Sequence, residues 1–311
     1  MKNRLLAVTG AVAVAIVLSA AQVFVADYRT SWGDPDLQGV WTATTPTPLE
    51  RPLQGERIIN TDEEAVALEA ELARKWTETR GGGNDPNNLT GSYNAFWQDR
   101  GKPIKGRASL IVDPADGRLP PLTPAGQAMK DARPPAGFSG TADGPEDRND
   151  GERCLHWERL IGGVVNQHYR IVQSPGYVGL NMERLHDNRI IRMGKPHLPQ
   201  NVRQWNGDSV GHVEGDTLVV DTANFTDAKS GPQRATKNVH VIERFTRIDE
   251  NTIHYRATVD DPTTWTRPWT IELPMTREPE GTLGIYEYAC HEANYGMTGI
   301  LRGQRVQEQK K

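Results

Sequence analysis

The sequence lacks the short motifs that identify a reaction by themselves. It contains no G-x-S-x-G nucleophile elbow, no H-E-x-x-H zinc motif, no P-loop, and no G-x-G-x-x-G turn between a strand and a helix. The Gly81-Gly82-Gly83 run is not followed by a helix that would bind phosphate. Motifs therefore assign the chain neither to the serine hydrolases, nor to the zinc proteases, nor to the nucleotide-binding enzymes.

A large excess of charge and a long internal apolar segment are also absent. The formal net charge is −4, so the chain has no electrostatic reason to bind nucleic acid or an anionic membrane. Beyond residues 5–26, no segment is apolar over the roughly 20 residues that a membrane-spanning helix needs. We expect neither a nucleic-acid partner nor a membrane span in the mature chain. The oligomeric state is left open.

Residues 1–26 have the layout of a secretory signal peptide. Lys2 and Arg4 precede an apolar run, and small residues near Ala21 supply a cleavage site. Apolar residues continue as far as Ala26, so the alternative is an uncleaved anchor. In either case the sequence predicts that the bulk of the chain is periplasmic or secreted.

Only two cysteines are present, Cys154 and Cys290. An even number of cysteines in an oxidising compartment favours a disulfide, here closing a loop of about 136 residues. The chain-entropy model gives roughly 4–5 kcal/mol for such a loop. The alternative is a zinc site that adds the neighbouring His156 and His291, although this spacing differs from the usual C-x2-C pattern.

The sequence pattern of the chain changes near residue 165. Residues 27–164 are irregular, with short strands predicted over 37–42 and 108–112. A capping box at residues 61–64 precedes an Ala/Leu-rich helix that reaches residue 76, and a weaker helix is predicted over 123–130. We expect this region to wrap around the domain that follows it.

Residues 165–311 alternate apolar and polar side chains, with turn residues at short intervals. Strands are predicted over residues 169–173, 177–184, 186–193, 212–214, 217–221, 239–248, 252–259, 269–275 and 283–291. Short connections favour antiparallel neighbours, and a meander that closes on itself has no free edges. The sequence therefore predicts a mainly β protein, an antiparallel up-and-down barrel of the lipocalin-like kind. A sandwich is the alternative.

Several strings spread over the chain are distinctive. They are DLQGVWT (36–42), LIVDP (110–114), QSPGYV (173–178), HD and RII (186–191), RQW and GDS (203–209), EGDTLVV (214–220), DDPTTWTRPW (260–269) and YEYACHE (286–292). The chain resembles, in these strings, a family of exported bacterial proteins of unknown function. The resemblance implies export but no activity, and it carries over no catalytic residue. His212-Val213 departs from the family pattern, which has Arg-Trp there.

Polar residues on the predicted strands supply the candidate catalytic groups. His186 is a candidate general base, because imidazole titrates near neutral pH. Glu287 and His291 would share one face of the last strand, about 13 Å apart at roughly 3.3 Å per residue. If that face is the interior, they form an acid–base constellation. The structural alternatives are a hydrogen-bonded turn histidine and a buried glutamate paired with an arginine.

Aromatic and charged residues near predicted loops are the candidate substrate-binding groups. They are Arg189, Arg203, Trp205, Asp208, Trp265, Trp269 and Tyr288. Tryptophans and arginines at a barrel mouth can stack on a ring or hold a carboxylate. The alternative is that tryptophans beside prolines plug one end of the barrel.

The sequence favours an exported barrel that handles a small molecule, as a hydrolase or lyase acting on a cyclic or aromatic compound. A non-catalytic ligand-binding barrel and an envelope interaction protein are the alternatives. A metal site would draw on His186, His197, His291 and a carboxylate, but scattered histidines carry little spacing information. No metal and no other cofactor is predicted.

Overall fold

The computed structural model describes residues 28–55, 57–80, 101–132, 142–148, 151–155, 160–164, 167–226, 235–279, 285–292 and 294–309. The predicted leader, residues 1–26, lies outside the described residues. The strands are β1 Gly39–Thr42, β2 Ile111–Asp113, β3 His168–Ser174, β4 Tyr177–Met182, β5 Asn188–Met193, β6 Asp208–Glu214, β7 Thr217–Ala223, β8 His240–Asp249, β9 Thr252–Asp260 and β10 Trp269–Arg277. The helices are α1 Asp62–Arg80, α2 Pro124–Asp131 and α3 Tyr295–Glu308.

The predicted barrel is confirmed. In the described residues, β1 and β3 to β10 form a continuous sheet that closes because β1 pairs with β10 as well as with β3. Strand β2 adds to β10 beside the closure. The wall is mixed, since β5 and β6 run parallel whereas the other pairs are antiparallel. A likeness to lipocalins in particular stays a prediction.

The parallel pair requires a crossing connection, because two parallel neighbours cannot be joined by a tight hairpin. Residues 194–207 supply it. This crossing connection is fixed by its own backbone bridge, in which Gln204 pairs with Phe225 just after β7. The connection therefore starts at one end of the barrel and places its side chains beside the outer wall.

Every second side chain along the central part of β8, β9 and β10 points inward, and these side chains fill the interior of the barrel. The inward residues of these strands are each at most 2% exposed: Val241, Glu243, Phe245, Ile253, Tyr255, Ala257, Val259, Trp269, Ile271, Leu273 and Met275. Successive side chains of a strand point to opposite faces, so the residues between them form the outer wall. Along these three strands the interior is packed with side chains.

Residues of the N-terminal region close and cap the barrel. Strand β1 completes the wall, and the segment before it covers one end. Leu37 is fully buried there, and its backbone N–H donates to Gln173 Oε1 at 2.7 Å. The Arg247 guanidinium donates to the Asp36 carbonyl at 3.0 Å and lies 3.9 Å from the centre of the Tyr28 ring. The division at residue 165 stays a prediction, but the barrel itself draws on both sides of it.

The predicted last strand is wrong for residues 285–291, which are irregular. The reason lies in the closure, because β1 occupies the place beside β10 that a further strand would take. The chain instead ends in α3, whose start is capped by Asn294, with its side-chain oxygen accepting from the Met297 N–H at 3.4 Å. This helix was not predicted.

The predicted disulfide is confirmed. Cys154 and Cys290 are bonded, with Cα atoms 5.6 Å apart, and they join two segments that lie outside the barrel wall. Since both sulfurs are used, the alternative zinc site built on two thiolates is ruled out. A formed disulfide suits an oxidising compartment. None of the helices in the described ranges combines the length and the apolar character needed to cross a bilayer.

Candidate functional site

The three predicted catalytic residues are not gathered in the barrel interior. Glu287 and His291 are exposed on the irregular segment after β10, on either side of the disulfide cysteine Cys290. His186 ends a short 3-10 turn just before β5. In the described part of the chain, the expected cavity lined by a glutamate and a histidine of one strand therefore has no counterpart, because residues 285–291 do not form a strand.

A buried glutamate paired with an arginine does exist, at another position. Glu243 is 1% exposed on β8, and the Arg189 guanidinium donates to it in a fork, at 2.5 Å and 2.9 Å. The Tyr255 hydroxyl also donates to Glu243, at 2.8 Å. Burial and the neighbouring carboxylate raise the pKa of Tyr255. Burial alone lowers the pKa of Arg189, but the charge and hydrogen bonds of Glu243, with smaller contributions from nearby tyrosines, together outweigh it and leave that pKa raised. Both guanidinium Nη atoms serve this internal pair.

Most predicted substrate-binding residues pack or brace the fold. Trp265 and Trp269 are 3% and 0% exposed and meet edge to face at 5.5 Å, as expected of residues that plug a barrel end. Arg203 donates to the Phe225 and Lys237 carbonyls, each at 2.9 Å, and so fixes the crossing connection. Tyr288 is half-buried on the segment after the barrel, and Trp205 is 49% exposed.

A compact polar group lies on the outer wall, and we name it the outer-wall cluster: His197, Asp208, Asp221 and His240. Asp208 begins β6, Asp221 lies on β7 and His240 begins β8, so three neighbouring strands contribute. Asp221 faces outward because Val220, its neighbour in β7, is fully buried in the core. His197 arrives from the crossing connection.

The four side chains form a continuous chain of contacts. His197 Nδ1 lies 2.9 Å from Asp208 Oδ2, and His197 Nε2 lies 3.1 Å from Asp221 Oδ1. His240 Nε2 contacts the same Asp221 oxygen. Two imidazoles therefore converge on one carboxylate oxygen, and one of them is also held from behind by a second carboxylate.

Asp208 is the fixed end of the outer-wall cluster. It is 2% exposed and accepts from the Leu198 N–H at 2.7 Å and from Arg192 Nη2 at 2.9 Å and 3.1 Å. The Asn224 side chain in turn donates to the Leu198 carbonyl at 3.0 Å. Burial raises the pKa of Asp208, but the hydrogen bonds from Leu198, His197 and Arg192 outweigh it and lower that pKa. The carboxylate is thus ionised and immobile.

The other end of the outer-wall cluster is open to solvent. The side chains of His197, Asp221 and His240 are 28%, 31% and 45% exposed. The hydrogen bond to Asp221 raises the pKa of His240. Partial burial raises the pKa of Asp221, but the contacts with His240 and His197 outweigh it and leave that pKa lowered.

Sequence reasoning found half of this cluster. Asp208 was proposed as a substrate-binding residue and His197 as a possible metal ligand, but no pairing between them was foreseen. Asp221 and His240 were missed. The available signal was a lone carboxylate following the apolar run Leu218–Val220 and a histidine opening the next apolar strand.

Comparisons with protein-family models, with curated proteins and with solved structures find no match. The resemblance to a family of exported bacterial proteins therefore stays a prediction.

Proposed function

We propose that the protein is an exported β-barrel that binds and transforms a small molecule at its outer-wall cluster, by acid–base chemistry of the hydrolase or lyase type. The observation that carries this proposal is the convergence of His197 and His240 on one oxygen of Asp221. Imidazole is the side chain best suited to proton transfer near neutral pH.

The packing of the barrel supports a site outside it. Inward residues of β8 to β10 are at most 2% exposed, so a ligand would have to displace well-packed side chains there. Displacement of this kind is costly in a close-packed core. The inner polar group built on Glu243 is satisfied by Arg189 and Tyr255. The outer-wall cluster, in contrast, is reachable from solvent.

The graded burial of the cluster also supports a reactive role. Asp208 is 2% exposed, whereas the His240 side chain is 45% exposed. A buried carboxylate that orients an imidazole is a recurring arrangement in acid–base sites. Asp208, the second carboxylate, holds His197 in position, and this distinguishes the cluster from an ordinary surface ion pair.

A cyclic or aromatic substrate is supported by Trp205. This side chain is 49% exposed and lies on the same crossing connection as His197. An exposed indole offers a flat apolar face on which a ring can stack. Export is supported by the Cys154–Cys290 disulfide together with the signal-like residues 1–26.

The experiment compares two variants in a screen of chromogenic aryl esters, aryl glycosides and cyclic lactones. Asp221→Asn alters the shared carboxylate. His212→Gln is the matched control, since His212 also lies on the outer wall and pairs with an exposed carboxylate, Glu214, at 2.9 Å. We expect Asp221→Asn to lose turnover and His212→Gln to keep it. Circular dichroism and thermal unfolding verify that both variants fold.

Three outcomes separate the alternatives. Turnover lost in Asp221→Asn, with ligand binding kept, supports catalysis. Ligands that bind but are never turned over favour a non-catalytic binding barrel. Equal turnover in Asp221→Asn and His212→Gln removes the cluster from the reaction and contradicts the proposal.

A further inference from the structure

The outer-wall cluster brings three potential metal ligands together. One donor atom from each of His197, Asp221 and His240 lies within 4.8 Å of the other two. The donors come from the crossing connection, from β7 and from β8, so the barrel wall and the connection together define their spacing. Two imidazoles and one carboxylate are a donor set typical of zinc and similar divalent metals.

The separations suit a single cation. Bonds from zinc to nitrogen and oxygen ligands are about 2.0–2.2 Å long, so tetrahedral ligands lie about 3.3 Å apart. His197 Nε2 lies 3.1 Å from Asp221 Oδ1. His240 Nε2 lies in contact with the same oxygen. Small rotations of the two exposed side chains, Asp221 and His240, would open the space for a cation.

The hydrogen-bond pattern at His197 is compatible with a bound cation. An ionised carboxylate only accepts hydrogen bonds, and a neutral imidazole has only one N–H. His197 faces a carboxylate with each of its nitrogens, Asp208 at Nδ1 and Asp221 at Nε2. With a cation at Nε2, the neutral ring satisfies both sides, because Nδ1–H donates to Asp208 and the Nε2 lone pair binds the metal.

Asp208 supplies the outer support that metal-bound histidines usually have. Such histidines commonly donate their second N–H to a carboxylate, which fixes the tautomer and the ring orientation. Asp208 stands at that position, 2.9 Å from His197 Nδ1, and is itself fixed by Arg192 and the Leu198 N–H. An incidental cluster of surface charges does not need a buried carboxylate of this kind.

We propose that His197 Nε2, Asp221 Oδ1 and His240 Nε2 bind one divalent cation of the zinc class, with Asp208 as the positioning residue for His197. Three protein ligands leave a fourth position for water or for a substrate oxygen, which is the pattern of catalytic rather than structural zinc sites. The proposal concerns binding of the cation and holds whether or not the protein is an enzyme.

The test is a direct binding measurement on tag-free protein that has been stripped with a chelator. We expect calorimetry to give one zinc ion per chain, and cobalt to give the visible absorption of a tetrahedral site. His240→Ala and Asp221→Asn should abolish this binding. Asp208→Asn should weaken it about 10- to 100-fold, as loss of an outer-shell partner does. His212→Ala, at a separate outer-wall histidine–carboxylate pair, should leave it unchanged.

The result that overturns the proposal is absence of zinc and cobalt binding in the wild-type chain, or equal binding in His240→Ala and His212→Ala. Unfolding curves in chelator show whether each variant folds. If His240→Ala does not fold, histidine-ring NMR of the wild-type chain decides. Zinc must then shift the ring resonances of two histidines, and a titration that shifts none contradicts the site.

Failure of this proposal differs from failure of the proposed function. Zinc binding without turnover of any substrate supports the metal site and contradicts the reaction. Turnover in a chain that binds neither zinc nor cobalt supports the reaction and contradicts the metal site.

Discussion

Two carboxylates on the outer wall of the barrel have different partners. Asp221 on β7 lies between the imidazoles of His197 and His240. Glu272 on β10 lies between the guanidinium groups of Arg107 and Arg256. Both carboxyl groups have lowered pKa values in spite of partial burial, Asp221 through its histidines and Glu272 chiefly through Arg107.

The chemistry of the partners decides what each carboxylate can do. A guanidinium group is always charged and has no lone pair to offer, so the two arginines can only hold Glu272 in place. One imidazole, that of His254, lies farther off, with its Nε2 3.7 Å from Glu272 Oε2. Arg107 comes from the N-terminal region and also donates to the Glu272 carbonyl at 3.1 Å, which fastens that region to the barrel. An imidazole can release a proton or bind a metal, so the Asp221 group can do chemistry.

The sharpest test of this difference is activity. Against a substrate found in the screen, we expect Asp221→Asn to lower kcat by about 10²–10⁴-fold, the range for loss of acid–base catalysis. Glu272→Gln should leave kcat unchanged, because its partners only bind and brace. Steady-state kinetics of the two variants measures both values. An equal loss in both would show that the two carboxylates do not differ in role.

The effects on stability should be in the reverse order, larger for Glu272→Gln than for Asp221→Asn. Glu272 has a side chain only 14% exposed and holds two arginines, so Glu272→Gln should lower the free energy of unfolding by about 1–2 kcal/mol. In metal-free protein, Asp221→Asn should cost less, since the Asp221 side chain is 31% exposed and stays better hydrated than that of Glu272. Urea unfolding measures the two differences. A larger loss for Asp221→Asn would reverse the structural assignment.

The Glu272 contribution should also depend on pH. Its pKa is lowered in the folded state, so its stabilising effect is fully present above the unfolded pKa of about 4.3. It is lost as pH falls through the lower folded value. We expect the stability difference between wild type and Glu272→Gln to shrink as the pH falls below about 4 to 5. Urea unfolding at a series of pH values checks this, and a difference that grows below about pH 4 would contradict it.

The smallest effect on stability is expected at Arg256, an exposed partner of Glu272. The Arg256 side chain is 44% exposed, so Arg256→Ala should cost less than about 1 kcal/mol. Arg107→Ala should cost more, because the Arg107 side chain is 28% exposed and also binds a backbone carbonyl. Thermal unfolding of the two variants in low and high salt checks this order.

Local pattern was enough to predict much of the barrel. Alternation predicted β3, β4 and β7 to β10 within a few residues, since a strand with one buried face needs period two. Pairing partners are a non-local property, and there the prediction failed at two places, the parallel pair of β5 with β6 and the closure of the barrel by β1. Nothing near residues 285–291 indicates that β1 already occupies the edge of β10.

The site was harder to predict for the same reason. Asp221 meets His197 and His240 only because β7 and β8 pair while the crossing connection lies beside them. Each of these residues has an ordinary local context in the sequence. Pairs of chemically matched residues become visible only once the neighbouring strands are known.

The pairing of β1 with β10 forms the seam that closes the barrel, and it also determines when the barrel can form. Arg277 Nη2 donates to the Gln38 carbonyl, across 239 positions of sequence. During synthesis β1 emerges long before β10, so the barrel stays open until β10 has been made. Closure over such a sequence distance is slow. Completion of the barrel is therefore a late event in the folding of this chain.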